Sequence, residues 1–309
     1  MNLMSRGFLF IFAQNLLTMC YNLKRCVISL SLLLVAACGK KSADPEKIPI
    51  KIMTSVTRAT DTAYEEGDAV GLYVVNRNGT AEPSLDNDGN YASNARYTFS
   101  GSSWTADTPL FWQDQTTHAD FYCYYPYRTP ITDVKAVPVS VCADQRGNGY
   151  KESELLWGKT VNVAPSQNPV GIVTKHVFSN LLIQVKPGKG YTETSLAGDL
   201  SRVTLHSTRT NGLLDLSTGL VTPAGDPVDI TPSGTAGAYR AMVVPQTLEN
   251  ETLLSLEVGG YTYSMKQSIS FLPNKQHSCT VTVNKTSEGI NVGISAWEED
   301  DTDYGGVIN

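Results

Sequence analysis

The chain has 309 residues and a formal net charge of −6 at pH 7, with 41% hydrophobic and 17% charged residues. Residues 1–37 contain three basic residues and no acidic one, so the remaining 272 residues carry 21 basic against 30 acidic side chains, a net charge of −9. This acidic balance excludes the functions that need a basic surface, nucleic-acid binding above all.

The N-terminus has the layout of an export signal. Lys24 and Arg25 precede a short apolar run at 27–37, which is shorter than the roughly 20 residues that span a bilayer. The sequence VAAC at 35–38 resembles the bacterial lipoprotein box, which implies a signal peptide over 1–37 and acyl chains (palmitate) on Cys38. An ordinary signal peptide is the alternative reading, and Met19 offers a second start that gives a more compact signal.

A polar tether over 38–47 is followed by IPIKIMTSV at 48–56. Ile48, Ile50, Ile52 and Val56 share one parity, and this two-residue alternation predicts a half-buried first strand. Helix is expected only as short turns, for example near 153–158. Further strands and hairpins are predicted at 69–76, 95–106, 119–127, 134–143, 176–185, 201–208, 212–222, 239–246, 251–269 and 278–284.

Short strands with turn signals every 8–12 residues predict an all-β fold built of sandwiches. The Pro- and Gly-rich stretch 163–175 is the expected linker, which gives an N-terminal β-sandwich over 48–172 and a C-terminal β-sandwich over 173–309. Cys123, Cys142 and Cys279 cannot all pair, so no disulfide framework is encoded. A Cys123–Cys142 bridge is left open.

No catalytic or metal-binding motif is present in the sequence. His118, His176, His206 and His277 are scattered, and each is expected to be an ordinary strand or loop residue. DNDGN at 86–90 predicts a β-turn rather than a calcium loop, and the acidic run at 298–303 predicts a solvated tail. We therefore expect no enzymatic activity, no cofactor and no metal.

The aromatic run FYCYYPY at 121–127 has the residue type that stacks on sugar rings. Alternation directs Phe121, Cys123 and Tyr125 to one face and Tyr122 and Tyr124 to the other. One face is expected in the core, so at most half of the rings can meet a ligand.

Five stretches in a fixed order resemble the fimbrillin family, the pilin-like lipoproteins of Gram-negative anaerobes that build type V pili. The resemblance covers nearly the whole mature chain. Asn274 is a departure, because it stands where the family has glycine in a turn before a late strand. The stretches are VTRATDTAYEEGDAVGLYVV at 56–75, ADFYCYYPY at 119–127, HVFSNLLIQV at 176–185, AMVVPQ at 241–246 and ISAWEED at 294–300.

The resemblance implies two tandem β-sandwiches of transthyretin-like topology and a location at the outer membrane and in the cell-surface fimbrium. It also implies export as a lipoprotein, a cut by a trypsin-like Arg-specific protease just after the first strand, and replacement of that strand by one from another subunit. Arg58 lies in the polar stretch TRATDT directly after 48–56, so the predicted cut separates Arg58 from Ala59. The alternative reading of Arg58 is a surface arginine in a connection.

Ile290, Val292, Ile294 and Ala296 repeat the spacing of the first strand, so a segment within 290–309 is the candidate donor strand. The alternative is that this strand completes its own sandwich and leaves only 304–309 to donate. The predicted function is a structural pilus subunit, stalk or tip, with other pilus subunits as partners. The alternative function is a non-polymerising outer-membrane lipoprotein, either a pilus anchor or an adhesin for glycans or host protein.

Overall fold

The computed structural model describes residues 47–56 and 64–303, with only the backbone of 294–303. Cys38 and the rest of the predicted lipoprotein signal lie outside these residues. Within the described ranges there are eighteen strands: β1 Ile52–Val56, β2 Ala69–Asn76, β3 Ala92–Phe99, β4 Trp104–Ala106, β5 Ala119–Tyr125, β6 Val137–Ser140, β7 Leu156–Val163, β8 Val170–His176, β9 Ser179–Pro187, β10 Leu200–Leu205, β11 Arg209–Asp215, β12 Leu220–Pro227, β13 Ser233–Thr235, β14 Ala238–Val243, β15 Gln246–Val258, β16 Tyr261–Phe271, β17 Lys275–Thr286 and β18 Gly289–Asp303.

The strands form four sheets, and the all-β prediction is confirmed. The largest sheet has seven strands in the order β1-β8-β7-β5-β2-β3-β4, and the next has five in the order β13-β14-β9-β17-β18. Two three-stranded sheets, β10-β15-β16 and β12-β11-β6, complete the set. Neighbours are antiparallel except for two parallel pairs, β1 with β8 and β9 with β17. The transthyretin-like topology stays a prediction.

Strand β5 lies in the middle of the seven-stranded sheet and is buried on both faces. Phe121 and Cys123 belong to one apolar cluster and Tyr122 and Tyr124 to another, and each of the four is at most 2% exposed. The alternation predicted from the sequence is therefore correct. The sequence allowed at most half of the rings to meet a ligand, and the structure leaves none of these four side chains exposed, because a second layer covers the other face.

The predicted boundary at 172–173 falls inside β8, which pairs in the seven-stranded sheet. The two prolines of this stretch lie instead in the loop 164–169 that joins β7 to β8, and Gly171 lies within β8. The chain enters the five-stranded sheet only at β9. Strand β6, from the first half of the sequence, pairs with β11 from the second half, so the sheets do not separate at one point in the chain.

Two short helices are present among the described residues, α1 Gly149–Glu152 and α2 Glu193–Asp199. Helix α2 begins with a capping box, in which the Thr192 hydroxyl accepts from the Ser195 N–H and the Ser195 hydroxyl accepts from the Thr192 N–H. A helical turn was expected near 153–158. The structure has α1 a few residues earlier, at Gly149–Glu152, and β7 already begins at Leu156. No helix in the described part of the chain has the length and apolar character needed to cross a membrane.

Asn274 lies in the turn between β16 and β17 with φ +59°. Only glycine adopts this left-handed conformation without strain, and asparagine is among the few other residues that tolerate it. Asparagine at this position can therefore form the same turn that glycine forms in the family.

Candidate functional site

Strand β1 lies at one edge of the seven-stranded sheet. It pairs in parallel with β8, with Ile52 opposite Val170 and Val56 opposite Thr174. Just before the strand, the Val170 N–H donates to the Lys51 carbonyl at 2.8 Å. Parallel strands cannot be joined by a hairpin, so this pair depends on the fold of the whole intervening chain.

The residues before β1 are bonded to the connection between β4 and β5. The Ile50 N–H donates to the Leu110 carbonyl at 2.8 Å, and the Trp112 N–H donates to the Ile48 carbonyl at 2.9 Å. Pro49 forms an isolated antiparallel bridge with Phe111. Residues 48–56, called the N-terminal segment below, are therefore bonded both to β8 and to this connection.

The side chains of the N-terminal segment alternate between core and solvent, as the two-residue pattern predicts. Ile50 and Ile52 are each 4% exposed, whereas Met53 is 61% exposed. Ile48 is half-buried against the same cluster, and Val56 is also half-buried. The segment is thus held by side-chain burial as well as by main-chain hydrogen bonds.

The groove that holds Ile50 and Ile52 is apolar, with one polar contact. The Tyr97 hydroxyl donates to the Ile50 carbonyl at 3.1 Å. Burial raises the pKa of Tyr97 to about 12, so this hydroxyl stays protonated and able to donate. The other buried members of this apolar cluster are Val70, Leu72, Val74, Trp112, Ala119, Phe121, Cys123, Val170 and Ile172.

The connection after β1 has both flanks fixed at the same residue of β8. On one side, Val56 stands opposite Thr174. On the other, the Tyr64 hydroxyl lies 3.3 Å from the Thr174 hydroxyl, and the Tyr64 ring packs edge-on against Trp104 at 4.9 Å and Tyr125 at 5.5 Å. Arg58 and Ala59 lie between these flanks, in 57–63, outside the described residues.

Two other arginines compete with Arg58 as protease sites because they lie near turns in the sequence. The Arg77 side chain is 7% exposed and forms an ion pair with the fully buried Asp120. Arg96 lies within β3, paired to its neighbours in the sheet, and its side chain pairs with Asp107 at 3.4 Å. A protease must bind several residues in an extended form, so neither arginine is presented for cleavage without local unfolding.

The candidate donor residues lie in β18, at the edge of the five-stranded sheet, paired with β17 of the same chain. This is the arrangement in which the strand completes its own sheet. Val292 stands opposite Val283 and Ile294 opposite Val281, but Ala296 stands opposite Thr280. One extra residue in β18 therefore breaks the alternation between Ile294 and Ala296, which the sequence pattern did not show.

The acidic run 298–303 is also part of β18, so the prediction that its backbone is an unpaired tail is wrong. Its backbone pairs with β17, with Glu298 opposite Ser278 and Asp303 opposite Lys275. The expected turn at 86–90 is present, with the Asn90 amide donating to the Asp86 carbonyl and Gly89 at φ +81°.

The remaining groups with reactive chemistry are dispersed. Cys123 and Cys142 are free, because Cys123 is enclosed in the core on β5 and Cys142 lies elsewhere beside Glu152, so the bridge left open by the sequence is not formed. Among the described residues, no three His, Cys, Asp or Glu side chains are arranged to hold a metal ion. His176 and Glu154 form a buried contact at 2.7 Å.

Sequence reasoning missed the residues that receive the N-terminal segment. Tyr97, Trp112 and Thr174 lie far from it in the chain, and no local pattern connects them with 48–56. Tyr64 did leave a signal, because it is a lone aromatic residue in the polar stretch DTAYEEGD at 61–68. A single aromatic side chain in a polar loop often packs against the core and fixes the position of the loop.

Comparison with known proteins gives a consistent relationship. The family model described as fimbrillin-like matches residues 57–297. A Bacteroides uniformis protein named as a fimbrium subunit, Fim1C, is 26% identical over 257 residues, which are 78% of this chain and 81% of that protein. A Bacteroides ovatus protein named as a fimbrium tip subunit is 32% identical over 80 residues, which span 25% of this chain but only 13% of that protein.

Two crystal structures share the fold. One, named as a cell adhesion protein from Bacteroides uniformis, has a TM-score of 0.63 at 24% identity and covers 82% of this chain and 98% of its own. The other, named as a cell adhesion protein from Bacteroides ovatus, has a TM-score of 0.60 at 16% identity and covers 84% of this chain and 98% of its own. At these identities the likeness shows the fold.

Proposed function

The chain belongs to the fimbrillin-like family, whose model matches residues 57–297, and we propose that it is a structural subunit, stalk or tip, of a cell-surface fimbria. The subunit is exported as a lipoprotein acylated on Cys38, cut between Arg58 and Ala59, and joined to other pilus subunits by exchange of a β-strand. The Bacteroides uniformis relative named as a fimbrium subunit supports this assignment.

The observation that carries the proposal is the position of the N-terminal segment. It contains the end strand β1 of its sheet, it is bonded by main-chain hydrogen bonds to β8 and to the connection between β4 and β5, and it is followed at once by the connection that contains Arg58. A cut there frees the segment without breaking any other described strand. No internal strand can be released in this way.

The groove explains why a released segment is replaced. Ile50 and Ile52 bury almost all of their side chains, and full burial of such a side chain is worth roughly 1.5–3 kcal/mol. Release also leaves the Tyr97 hydroxyl and the Val170 and Trp112 N–H groups without their present partners. An incoming strand with apolar residues at every second position restores both the burial and the main-chain bonds.

The donor is the C-terminal segment within 290–309 of a neighbouring subunit. Ile290, Val292 and Ile294 have the required spacing. Because β18 is an edge strand, its release breaks strand pairing only with β17, although Ile290 and Val292 also pack against the main apolar cluster. If β18 stays paired, only the residues after Asp303 are free to donate.

Arg58→Lys is the sharpest test of maturation, because it keeps the charge and removes the target of an Arg-specific protease. We expect the wild-type precursor to yield a chain that begins at Ala59 and then to form polymers, and Arg58→Lys to give neither. Arg96→Lys is the matched control and should behave as wild type. N-terminal sequencing by mass spectrometry and electron microscopy provide the readouts. Cleavage at another arginine with Arg58 intact, or polymers from Arg58→Lys, would refute the mechanism.

Lipidation has its own test. Cys38→Ala should remove incorporation of labelled fatty acid and leave the precursor uncut by the lipoprotein peptidase. Cys26→Ala is the control, since Cys26 precedes the apolar run and has no lipoprotein box. Equal labelling of Cys38→Ala and the wild-type protein would show that Cys38 is not the acylated residue.

The second candidate function is a surface lipoprotein that does not polymerise, as a pilus anchor or an adhesin. The observation in its favour is that β18 is paired with β17 in the same chain over most of its length, from Gly289 to Asp303, with two register shifts. An anchor keeps its N-terminal segment and its lipid. Isolation of the protein from the outer membrane with acylated Cys38 and an uncut N-terminal segment would favour this candidate.

A further inference from the structure

A polar pocket of about 530 Å³ lies at one end of the seven-stranded sheet. It is formed by the loop after β2, the loop before β5 and the end of β7, and it shares no residue with the N-terminal segment or its groove. We propose that this pocket binds a neutral carbohydrate. The residues on which this proposal depends are Arg77, Thr80, Thr116, Thr117, His118 and Asn162.

A buried carboxylate fixes the guanidinium of Arg77 in the wall of the pocket. Asp120 has no solvent exposure, and its oxygens accept from Arg77 Nε at 2.5 Å and Nη2 at 2.9 Å. A buried ion pair generally adds little stability over well-packed apolar side chains. Its clear effect here is orientation, because the two-point contact leaves the guanidinium no freedom to rotate.

A β-bulge directs Asn162 into the same pocket. The pairing of β5 with β7 shifts register at this point, and Asn162 has a left-handed backbone with φ +58°. Its N–H donates to Asp120 Oδ1 at 2.7 Å, and its Oδ1 lies 2.9 Å from His118 Nδ1. Bulges of this kind re-aim a side chain and are frequent beside binding sites. Asp120 thus holds Arg77 and Asn162 together.

The pocket presents both hydrogen-bond donors and hydrogen-bond acceptors. Arg77 and the Asn162 amide donate. Because Asn162 Oδ1 accepts from His118 Nδ1, the neutral imidazole presents Nε2 as an acceptor. Thr116 and Thr117 donate their hydroxyl protons to Asp114, so their oxygens are left to accept. Adjacent hydroxyls of a sugar ring donate and accept at the same time, which matches this mixed wall.

The charges of the pocket favour a neutral ligand. Asp120 neutralises Arg77, the group that would otherwise attract an anion. Asp114 lies beside the pocket, and hydrogen bonds from Thr117 and Thr116 hold its pKa well below its usual range, so it stays ionised. An acidic sugar or a peptide carboxylate would meet this negative charge. A hydroxyl-rich neutral ring would not.

The test is ligand-observed NMR of the full-length protein, purified in a detergent that contains no sugar. The probes are glucose, galactose, mannose, fucose, N-acetylglucosamine and N-acetylgalactosamine, with glucuronic acid and N-acetylneuraminic acid as the charged set. We expect at least one neutral sugar to bind with a Kd in the millimolar range, as suits a ligand with few atoms. No saturable binding by any neutral sugar, or binding of the charged set alone, would overturn the proposal.

Two variants locate the site. His118→Ala should weaken binding about tenfold, the usual consequence of losing one good hydrogen bond. The matched control is His206→Ala, since His206 also makes two side-chain hydrogen bonds, to Asp229 and Ser255, but does not line the pocket. Arg77→Lys keeps the charge but loses the two-point contact, and should also weaken binding. Equal affinity of His118→Ala and wild type, or equal loss in His206→Ala, would place the sugar elsewhere. Because binding is measured on unpolymerised protein, this result is independent of strand exchange.

Discussion

The hydroxyl of Tyr64 and the hydroxyl of Thr174 lie 3.3 Å apart, although the two residues are separated by 110 positions in the chain. Thr174 is also the residue opposite Val56 in the parallel pair of β1 and β8. The connection that contains Arg58 therefore starts and ends at one point of β8. After the proposed cut at Arg58, the contacts of Tyr64 would keep the new N-terminal end attached to the sheet.

Replacement of Tyr64 should weaken the attachment of the residues around position 64 to the sheet. Tyr64→Phe removes only the hydroxyl and should lower the free energy of unfolding by about 1 kcal/mol. Tyr64→Ala also removes the ring contacts with Trp104 and Tyr125 and should lower it by roughly 1–3 kcal/mol. The measurement is urea unfolding, followed by the rate of cleavage after Arg58. A cleavage rate in Tyr64→Ala that is no faster than wild type would mean that the flank does not restrain the connection.

Truncation within the N-terminal segment should destabilise the uncut precursor. Ile50→Ala and Ile52→Ala should each lower the free energy of unfolding by roughly 2–4 kcal/mol, because each leaves a cavity in the groove. Met53→Ala is the matched control on the exposed face and should change it by less than about 0.5 kcal/mol. In protein already cut at Arg58 and separated from the segment, the Ile variants should have no effect. A similar loss for Met53→Ala would show that the strand is held in another way.

Deletions at the C-terminus distinguish donation by β18 from donation by residues 304–309 alone. In protein cut at Arg58, deletion of 304–309 tests the tail alone, and deletion of 289–309 tests the tail together with β18. Loss of polymer with a folded, protease-resistant monomer is the result expected for donation. Loss of β18 removes the strand that pairs with Val281 and Val283 of β17 and could destabilise the monomer. Urea unfolding of each deletion variant therefore serves as the control for monomer stability. Polymers that form normally without 289–309, or a second half that unfolds, would contradict donation from this segment.

Alkaline pH should destabilise the protein. Burial raises the pKa of Cys123 from 9.0 to about 12, and that of Cys279 in the same way. In the unfolded chain these thiols lose their protons near pH 9, whereas the folded chain keeps them bound up to about pH 12. Folding stability is therefore unaffected by them below pH 9 and falls as the pH rises from 9 towards 12.

The measurement is the urea midpoint at about pH 8 and about pH 10.5. Cys123→Ala should have a lower midpoint than wild type at the lower pH, because of the smaller side chain, but a smaller drop between the two. An equal drop in both proteins would mean that this thiol does not contribute to the alkaline loss.

The elements fixed by nearby residues could be predicted from the sequence. The hairpin at 95–106 was predicted because its turn carries glycine and its strands alternate, and β3–β4 forms there. A strand was predicted over 212–222, where the structure has the hairpin β11–β12. The first strand and its buried face, with Ile50 and Ile52, followed from alternation. These features are visible in residues close in the chain, and local pattern is sufficient for them.

The features that depend on distant residues could not be predicted. The alternation in β5 predicts that Phe121 and Tyr122 lie on opposite faces of the sheet. It does not predict that both faces are covered by other parts of the chain. The pairing of β1 with β8 and the placement of β18 beside β17 are matters of tertiary packing, and the register break before Ala296 is invisible in the residue pattern. The pocket escaped notice because its acidic anchor, Asp120, lies inside an otherwise aromatic strand.

The parallel pairing of β1 with β8 also bears on the order in which the chain folds. The hydrogen bond from the Thr174 hydroxyl to the Ser55 carbonyl joins residues 119 positions apart. Closing so long a loop is slow and must wait until the later strand has been synthesised. We therefore expect the first strand of the chain to be among the last to dock. A contact that forms late in folding is also one that can be released while the rest of the molecule stays folded.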